Sequence, residues 1–366
     1  MHIAAAEIRN FRGIDALDLD FTDAFGRVRP LSLLVGPNAS GKTSALDALA
    51  IAVGGQTGQF ALRPDWDIRP STVIRHGALA STVTCTVRFG ADERDAVRDL
   101  LALSQQPGDV PDVEETRITW VYPDPERNSR LGRHSTEPRS AWRLFRGRRL
   151  LVDLLAARLA GTEWFRRVGG VFTFDQRRLP NSTVPQDIWN YLNDLPVDSR
   201  CPPGERTTGD LHTLLRALAV DAALAPADET MFGEVQRQFA GLCPPHRWLG
   251  VRRDDTGQIT LRFACQETEY DFDGLSSGQE VVLSYLARIA RERMCQAVLL
   301  VDELELHLHP YWQQQLLYVL PRMGEDNQVI ATSHSAHLRD LLPEAVSLGA
   351  LGDRAREAGV GVDAGH

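Results

Sequence analysis

The chain has 366 residues, with 40 Lys+Arg against 49 Asp+Glu and a formal net charge of −9. A length of this order holds two or three lobes with sizeable cores, and 43 % hydrophobic with 24 % charged residues is the composition of a soluble globular chain. There is no apolar run of the ~18 residues a membrane span needs, no basic-then-apolar leader at the N-terminus, and five scattered cysteines without a C-x-x-C pair; a reducing cytoplasm is the expected home.

Residues 1–122 read as a β-rich lobe. Residues 3–8 form an expected strand, Asn10-Phe11-Arg12-Gly13 a turn, and residues 14–21 alternate apolar and acidic with the period of a half-buried strand. Leu31–Val35 is apolar and partly branched, a buried strand. It runs into Gly36-Pro37-Asn38-Ala39-Ser40-Gly41-Lys42-Thr43, which fits G-x-x-x-x-G-K-[ST] at every fixed position, and then into a helical stretch, 44–52, that begins with Ser44. In a strand–loop–helix setting, successive backbone N–H groups and the positive helix end face the phosphates of a nucleotide. Lys42 is the only lysine in the chain; every other basic residue is arginine. A compact ammonium fits among phosphate oxygens where a guanidinium fork does not. Further strands are expected at 81–89 and 118–122.

The character changes at 123–245. A polar surface loop is expected at 123–138, helices at 150–159, 211–224 and 231–242, a short strand at 171–174, and a proline-interrupted segment at 180–204. Arg139, Arg143, Arg146, Arg148 and Arg149 cluster around Trp142 and Phe145, just after Arg130 and Arg133. Arginine among aromatics suits a nucleic acid backbone and its bases, and equally a solvated face paired with the chain's own carboxylates. No heptad pattern is sustained, so no long coiled coil is expected.

From 246 the order is strand (259–263), helix (276–294), strand (297–301), helix (309–320) and a last strand opening at 328–331. The strand 297–301 delivers Asp302 and Glu303, the form of a Walker B segment: the first carboxylate would hold Mg²⁺ beside Thr43, and the second would polarise a water for attack on a γ-phosphate.

Leu275-Ser276-Ser277-Gly278-Gln279-Glu280 resembles the L-S-G-G-Q signature of ABC-type ATPases, with Ser277 in place of the first glycine. The order of motifs, phosphate loop, signature, then an apolar strand ending in Asp-Glu, strengthens the likeness. The chain resembles the SMC/RecF/OLD-like branch of ABC-type ATPases. Residues 8–13 are similar to the start of those heads, which brings Arg12 to the nucleotide, and 74–78 resemble their first lobe. The run 302–310 is close to D-E-P-E-x-x-L-H-P, Leu304 standing where proline is usual.

The resemblance implies an α/β P-loop NTPase, an ABC-type head with a β-rich N-terminal lobe (1–122), a mainly helical insertion (123–245), a C-terminal ATPase lobe (246–350) and a flexible tail (351–366). It implies ATP and Mg²⁺, and a homodimer or higher even oligomer in which Ser276, Ser277, Gly278 and Gln279 of one copy meet the ATP held by Gly36 to Ser44 of another. His334 takes the place of the switch histidine. Gln176 is the candidate for the glutamine that senses Mg²⁺ and the attacking water, with Gln56 and Gln59 as competitors.

The interval between phosphate loop and signature is too long for a transporter ATPase. Few residues follow His334, so a Toprim nuclease domain is not expected, and the missing lysines exclude an ordinary PD-(D/E)-x-K nuclease. The expectation is a stand-alone ATPase switch controlling a separate nuclease or toxin in bacterial defence against phage. A RecF-like ATPase that binds DNA directly and a non-catalytic scaffold that uses ATP as glue are the alternatives.

Overall fold

A computed structural model describes residues 1–54, 57, 70–105, 109–124, 132–174, 211–224, 231–253, 259–306, 308–342 and 346–347. Its strands are β1 (His2–Phe11), β2 (Ile14–Asp20), β3 (Leu31–Val35), β4 (Ser81–Arg88), β5 (Glu115–Tyr122), β6 (Arg133–Glu137), β7 (Val171–Phe174), β8 (His246–Arg253), β9 (Ile259–Cys265), β10 (Thr268–Asp271), β11 (Val298–Val301), β12 (Gln328–Ser333) and β13 (Val346–Ser347). The longer helices are α1 (Lys42–Leu49), α2 (Ala91–Leu103), α3 (Gly147–Ala156), α4 (Leu211–Leu224), α5 (Met231–Leu242), α6 (Ser277–Arg291) and α7 (Pro310–Val319).

Three sheets organise them: an antiparallel sheet in the order β2-β1-β4-β5-β6, a parallel sheet in the order β13-β3-β12-β11-β7, and a small antiparallel sheet β10-β9-β8. The two kinds of sheet follow from two kinds of sequence. In β4, Ser81, Val83, Cys85 and Val87 are buried while Thr82, Thr84, Thr86 and Arg88 face outward, the alternation of a sheet covered on one side. In β11 all four residues of Val298–Val301 are buried, as in a parallel sheet covered on both faces.

The parallel sheet divides the interior into two cores. Leu34, Val171, Val298, Leu300 and Ile330 point into a first core shared with the antiparallel sheet, α1, α2 and α3. Their neighbours Leu33, Val35, Phe172, Leu299, Val301 and Val329 point into a second core closed by α4, α5, α6 and α7. The described part of 123–245 is split the same way. β6 and α3 belong with the first core, β7 is the edge of the parallel sheet, and α4 and α5 close the second core.

Several elements differ from expectation, α2, β8 and β10 lying where none was expected. The stretch expected as surface loop contains β6, which pairs with β5 from Arg117↔Glu137 to Val121↔Arg133. An edge strand needs one inward residue, here Thr136, and its other residues can stay polar. Among the described residues the last strand is β13, beyond β12, pairing with β3. Among the described residues no helix is long and apolar enough to cross a membrane.

Candidate functional site

In the parallel sheet β3, β12 and β11 are neighbours with a common direction. Their carboxyl ends therefore open onto one edge, where an open α/β sheet takes its ligands. β3 ends at the phosphate loop, β11 at Asp302-Glu303, and β12 runs through Thr332 and Ser333 to His334. Three motifs far apart in sequence meet because three strands are parallel and adjacent.

The phosphate loop turns through two left-handed residues, Ala39 (φ 60°) and Gly41 (φ 89°). α1 then starts at Gly41 without a side-chain cap, the kind of helix start that suits an anion. Lys42 is buried and folds back over its own loop: Nζ donates to Gly36 O (2.9 Å), Pro37 O (2.8 Å) and Ser40 Oγ (3.4 Å), and lies 3.3 Å from His334 Nδ1. Burial pulls the Lys42 pKa below its ordinary value, while Asp302, Glu303 and Glu305 push it back up. An ammonium held mostly by neutral oxygens is poised for an anion.

Thr43 Oγ1 donates to both Asp302 oxygens, at 2.9 and 3.1 Å. Asp302 Oδ1 also accepts from Thr332 Oγ1 at 2.7 Å, and Glu303 N donates to that same Thr332 hydroxyl at 2.8 Å. Glu303 has a left-handed backbone, φ 50°. His334 thus stands between Lys42 Nζ, 3.3 Å from its Nδ1, and Glu303 Oε1, 3.8 Å from its Nε2. Glu305 Oε1 accepts the backbone N–H of His334. Lys42, His334 and Glu303 thus form a continuous line from the phosphate loop to the second carboxylate. Thr332 and Glu305 were not singled out in the sequence, although Glu305 lies inside the run 302–310 and Thr332 stands two residues before His334.

The signature stretch forms a different helix start. Ser276 caps α6: its hydroxyl accepts Gln279 N–H at 3.3 Å, and Gln279 Oε1 accepts Ser276 N–H at 2.8 Å. Ser276 and Ser277 are exposed, whereas Gly278 and Gln279 are buried. Arg12, also left-handed (φ 50°), places Nη1 2.6 Å from Asp47 Oδ2 of α1 and so ties the first strand pair to the phosphate-loop helix. Gln176, Gln56 and Gln59 lie outside the described residues; Phe174, at the end of β7, accepts the backbone N–H of Asp302 at 2.8 Å.

The arginine cluster is corrected in one place. Arg148 is not on the surface. It is buried with its guanidinium over Phe165 and Phe172, and desolvation lowers its pKa to about 10. Its Nη1 donates to Arg293 O at 3.3 Å and its Nη2 to Glu292 O, at the end of α6. Arg139, Arg146 and Arg149 remain exposed; Arg143 and Arg146 lie over the Trp142 ring, and Arg149 pairs with Asp153.

The oxygens of Thr43 and Asp302 are hard donors on adjoining elements, the chemistry Mg²⁺ takes, and the uncapped α1 with Lys42 suits a polyphosphate. The residues present fit both groups. Fold and site together define a P-loop ATPase fold.

Comparison with known proteins narrows this. A model described as "AAA domain" matches residues 6–119, which hold the phosphate loop. One described as "AAA domain, putative AbiEii toxin, Type IV TA system" matches 266–340, which hold the signature stretch, Asp302, Glu303 and His334. Among solved structures the fold is similar to an SMC head bound to the C-winged helix domain of ScpA (TM-score 0.51, 16 % identity, 93 % of this chain and 91 % of that one). It is also similar to an Smc head with an extended coiled coil bound to the C-terminal domain of ScpA derived from Pyrococcus furiosus (TM-score 0.50, 14 % identity, 93 % and 91 %). Short stretches are similar to Septu protein PtuA of Bacillus thuringiensis, 44 % identical over 43 residues, and to Retron Ec83 probable ATPase of Escherichia coli, 35 % identical over 72 residues. These cover 12 % and 17 % of this chain, and only 11 % and 13 % of the length of those relatives. Models of AAA domains thus match towards both ends of the chain, whose fold is similar to that of an SMC head.

Proposed function

We propose that the chain is an ATP-binding and hydrolysing switch that dimerises around ATP and controls a separate effector in anti-phage defence. The observation that carries this reading is the convergence of Lys42, Thr43, Asp302, Glu303 and His334 on one edge of the parallel sheet. In this reading Gly36 and Asn38 to Ser44 bind the triphosphate, Thr43 and Asp302 hold Mg²⁺, and bound Mg²⁺ supplies charge neutralisation at the phosphates. Glu303 takes the proton of the attacking water, and His334 leaves Lys42 to meet the γ-phosphate. The exposed Ser276 and Ser277, at the positive end of α6, offer a second anion contact that a neighbouring copy's ATP would complete.

The likeness to a Septu protein and a retron ATPase supports a defence setting with an effector, a nuclease or toxin, in trans. The SMC heads of similar fold are described with a bound partner, ScpA. Arg143 and Arg146 stacked over the partly exposed Trp142 support a second contact of this switch, with nucleic acid.

The test is hydrolysis and sedimentation of the parent and Glu303→Gln proteins with ATP and Mg²⁺. The variant is expected to bind ATP, accumulate as a dimer and lose roughly 100-fold or more in kcat. Equal turnover by the two proteins would remove Glu303 from the base position, and a monomer at saturating ATP would remove the sandwich.

A further inference from the structure

We infer that Thr332 is a positioning residue for hydrolysis, setting the orientation of both Walker B carboxylates through one hydroxyl. The inference rests on the ATPase reading above.

β11 and β12 pair in parallel through Val301↔Ala331, and β11 ends there. The next residues after the strand, Asp302, Glu303 and Leu304, bond to Thr332 of β12. Its hydroxyl proton goes to Asp302 Oδ1 (2.7 Å), its lone pair receives Glu303 N–H (2.8 Å), and its carbonyl receives Leu304 N–H (3.1 Å). A hydroxyl has one proton to give and lone pairs to accept with, so both bonds exist together and each fixes the direction of the other. Thr332 is wholly buried.

The consequence for Glu303 is conformational. A glutamate at φ 50° sits in the left-handed region, which a residue with a Cβ disfavours. The bonds from Glu303 N–H and Leu304 N–H to Thr332 hold the turn in that shape. The shape places Glu303 Oε1 3.8 Å from His334 Nε2.

For Asp302 the hydroxyl is a fixed second donor. Thr43 Oγ1 now donates to the same carboxylate. When the Thr43 oxygen turns to another ligand, the Thr332 bond remains and the carboxylate keeps its orientation. Thr332 touches no substrate in this scheme; it acts through Asp302 and Glu303.

The experiment compares Thr332→Val, which keeps shape and loses the hydroxyl, with Thr332→Ser, which keeps the hydroxyl. Two readouts are taken: steady-state ATP hydrolysis, and amide hydrogen exchange at Glu303 and Leu304 without nucleotide. For the valine variant kcat is expected to fall roughly ten- to a hundredfold, the size of one lost hydrogen bond in a charged network. KM for ATP should stay within about twofold, and the Glu303 amide should exchange faster. The serine variant should recover most of the rate and the protection.

Parent-like turnover in the valine variant overturns the inference, as does a serine variant as slow as valine, because packing rather than the hydroxyl would then be at work. If valine yields no folded protein, the serine comparison decides: protection of the Glu303 amide as in the parent supports the assignment, and its loss overturns it. A parent protein without ATPase activity would sink the proposed function instead, and the amide-exchange arm would still decide the role of Thr332 at the turn.

Discussion

The two helix starts at α1 and α6 use the same physics to opposite ends. Each presents backbone N–H groups and the positive end of a dipole. α1 begins at a left-handed glycine without a side-chain cap, and the buried Lys42 is its first residue. α6 begins with a reciprocal Ser276–Gln279 capping box that satisfies two of its orphan donors and leaves Ser276 and Ser277 at the surface. The first suits an anion. The second is capped as a helix and still electropositive outward. The difference fits a nucleotide held firmly by one copy and touched lightly by another.

The largest effect that separates the two starts comes from Lys42. Lys42→Met should weaken ATP binding on the order of a hundredfold or more, as expected for loss of charge-assisted bonds to phosphate, and ATP-driven dimerisation should go with it. The same change should not lower the melting temperature of the nucleotide-free protein. Burial disfavours the Lys42 charge, and removing it offsets the loss of the bonds to Gly36 O, Pro37 O and Ser40 Oγ. Calorimetry with ATP and thermal melts without it check both halves. Unchanged dimerisation despite lost ATP binding would break the composite-site reading.

A smaller change tests α6. Ser277 is exposed at the first position of the helix, so Ser277→Glu adds a negative charge where the dipole welcomes one. Nucleotide-free stability should rise by about 0.3–1 kcal/mol. The same carboxylate would face the phosphates of a neighbouring copy's ATP, so ATP binding to the monomer should persist while ATP-driven dimers disappear in sedimentation. A variant that dimerises as the parent does would show that α6 faces no nucleotide.

The contrast also shows what a sequence discloses. The phosphate loop was legible because its chemistry is local: a glycine loop, one lysine and a threonine in eight consecutive positions, after an apolar strand. β11 and its two carboxylates were legible for the same reason. The bonds from Thr332 to Asp302 and Glu303 were not, because strand adjacency makes them across about thirty residues. β6 was hidden by its polar composition, which an edge strand permits. Arg148 and Arg149 looked alike in a cluster, yet successive helix positions point about 100° apart, so one is buried against Phe165 and Phe172 and the other reaches Asp153 at the surface.

The smallest expected effect lies in the first core, away from both helix starts. His134 of β6 donates Nε2–H to Ile51 O, in the turn that continues α1, and burial holds its pKa below the ordinary histidine value against the opposing pull of that bond. Between that lowered value and the unfolded value near 6.5, the unfolded chain binds a proton that the native state refuses. Stability from His134 is therefore complete above the unfolded value and falls as the pH drops through that window, with a slope of at most about 1.4 kcal/mol per pH unit. His134→Gln keeps a donor for Ile51 O and removes the titration, so its melting temperature should decline less steeply than the parent's from pH 7 to pH 5. The decline should not vanish, since burial also lowers His2 to about 4, and that residue keeps its own share of the acid sensitivity. Because His134 leans on the element that continues α1, the Gln variant should bind ATP like the parent at pH 7.5. A loss of affinity there would mean that the end of α1, and not only its start, sets the phosphate loop.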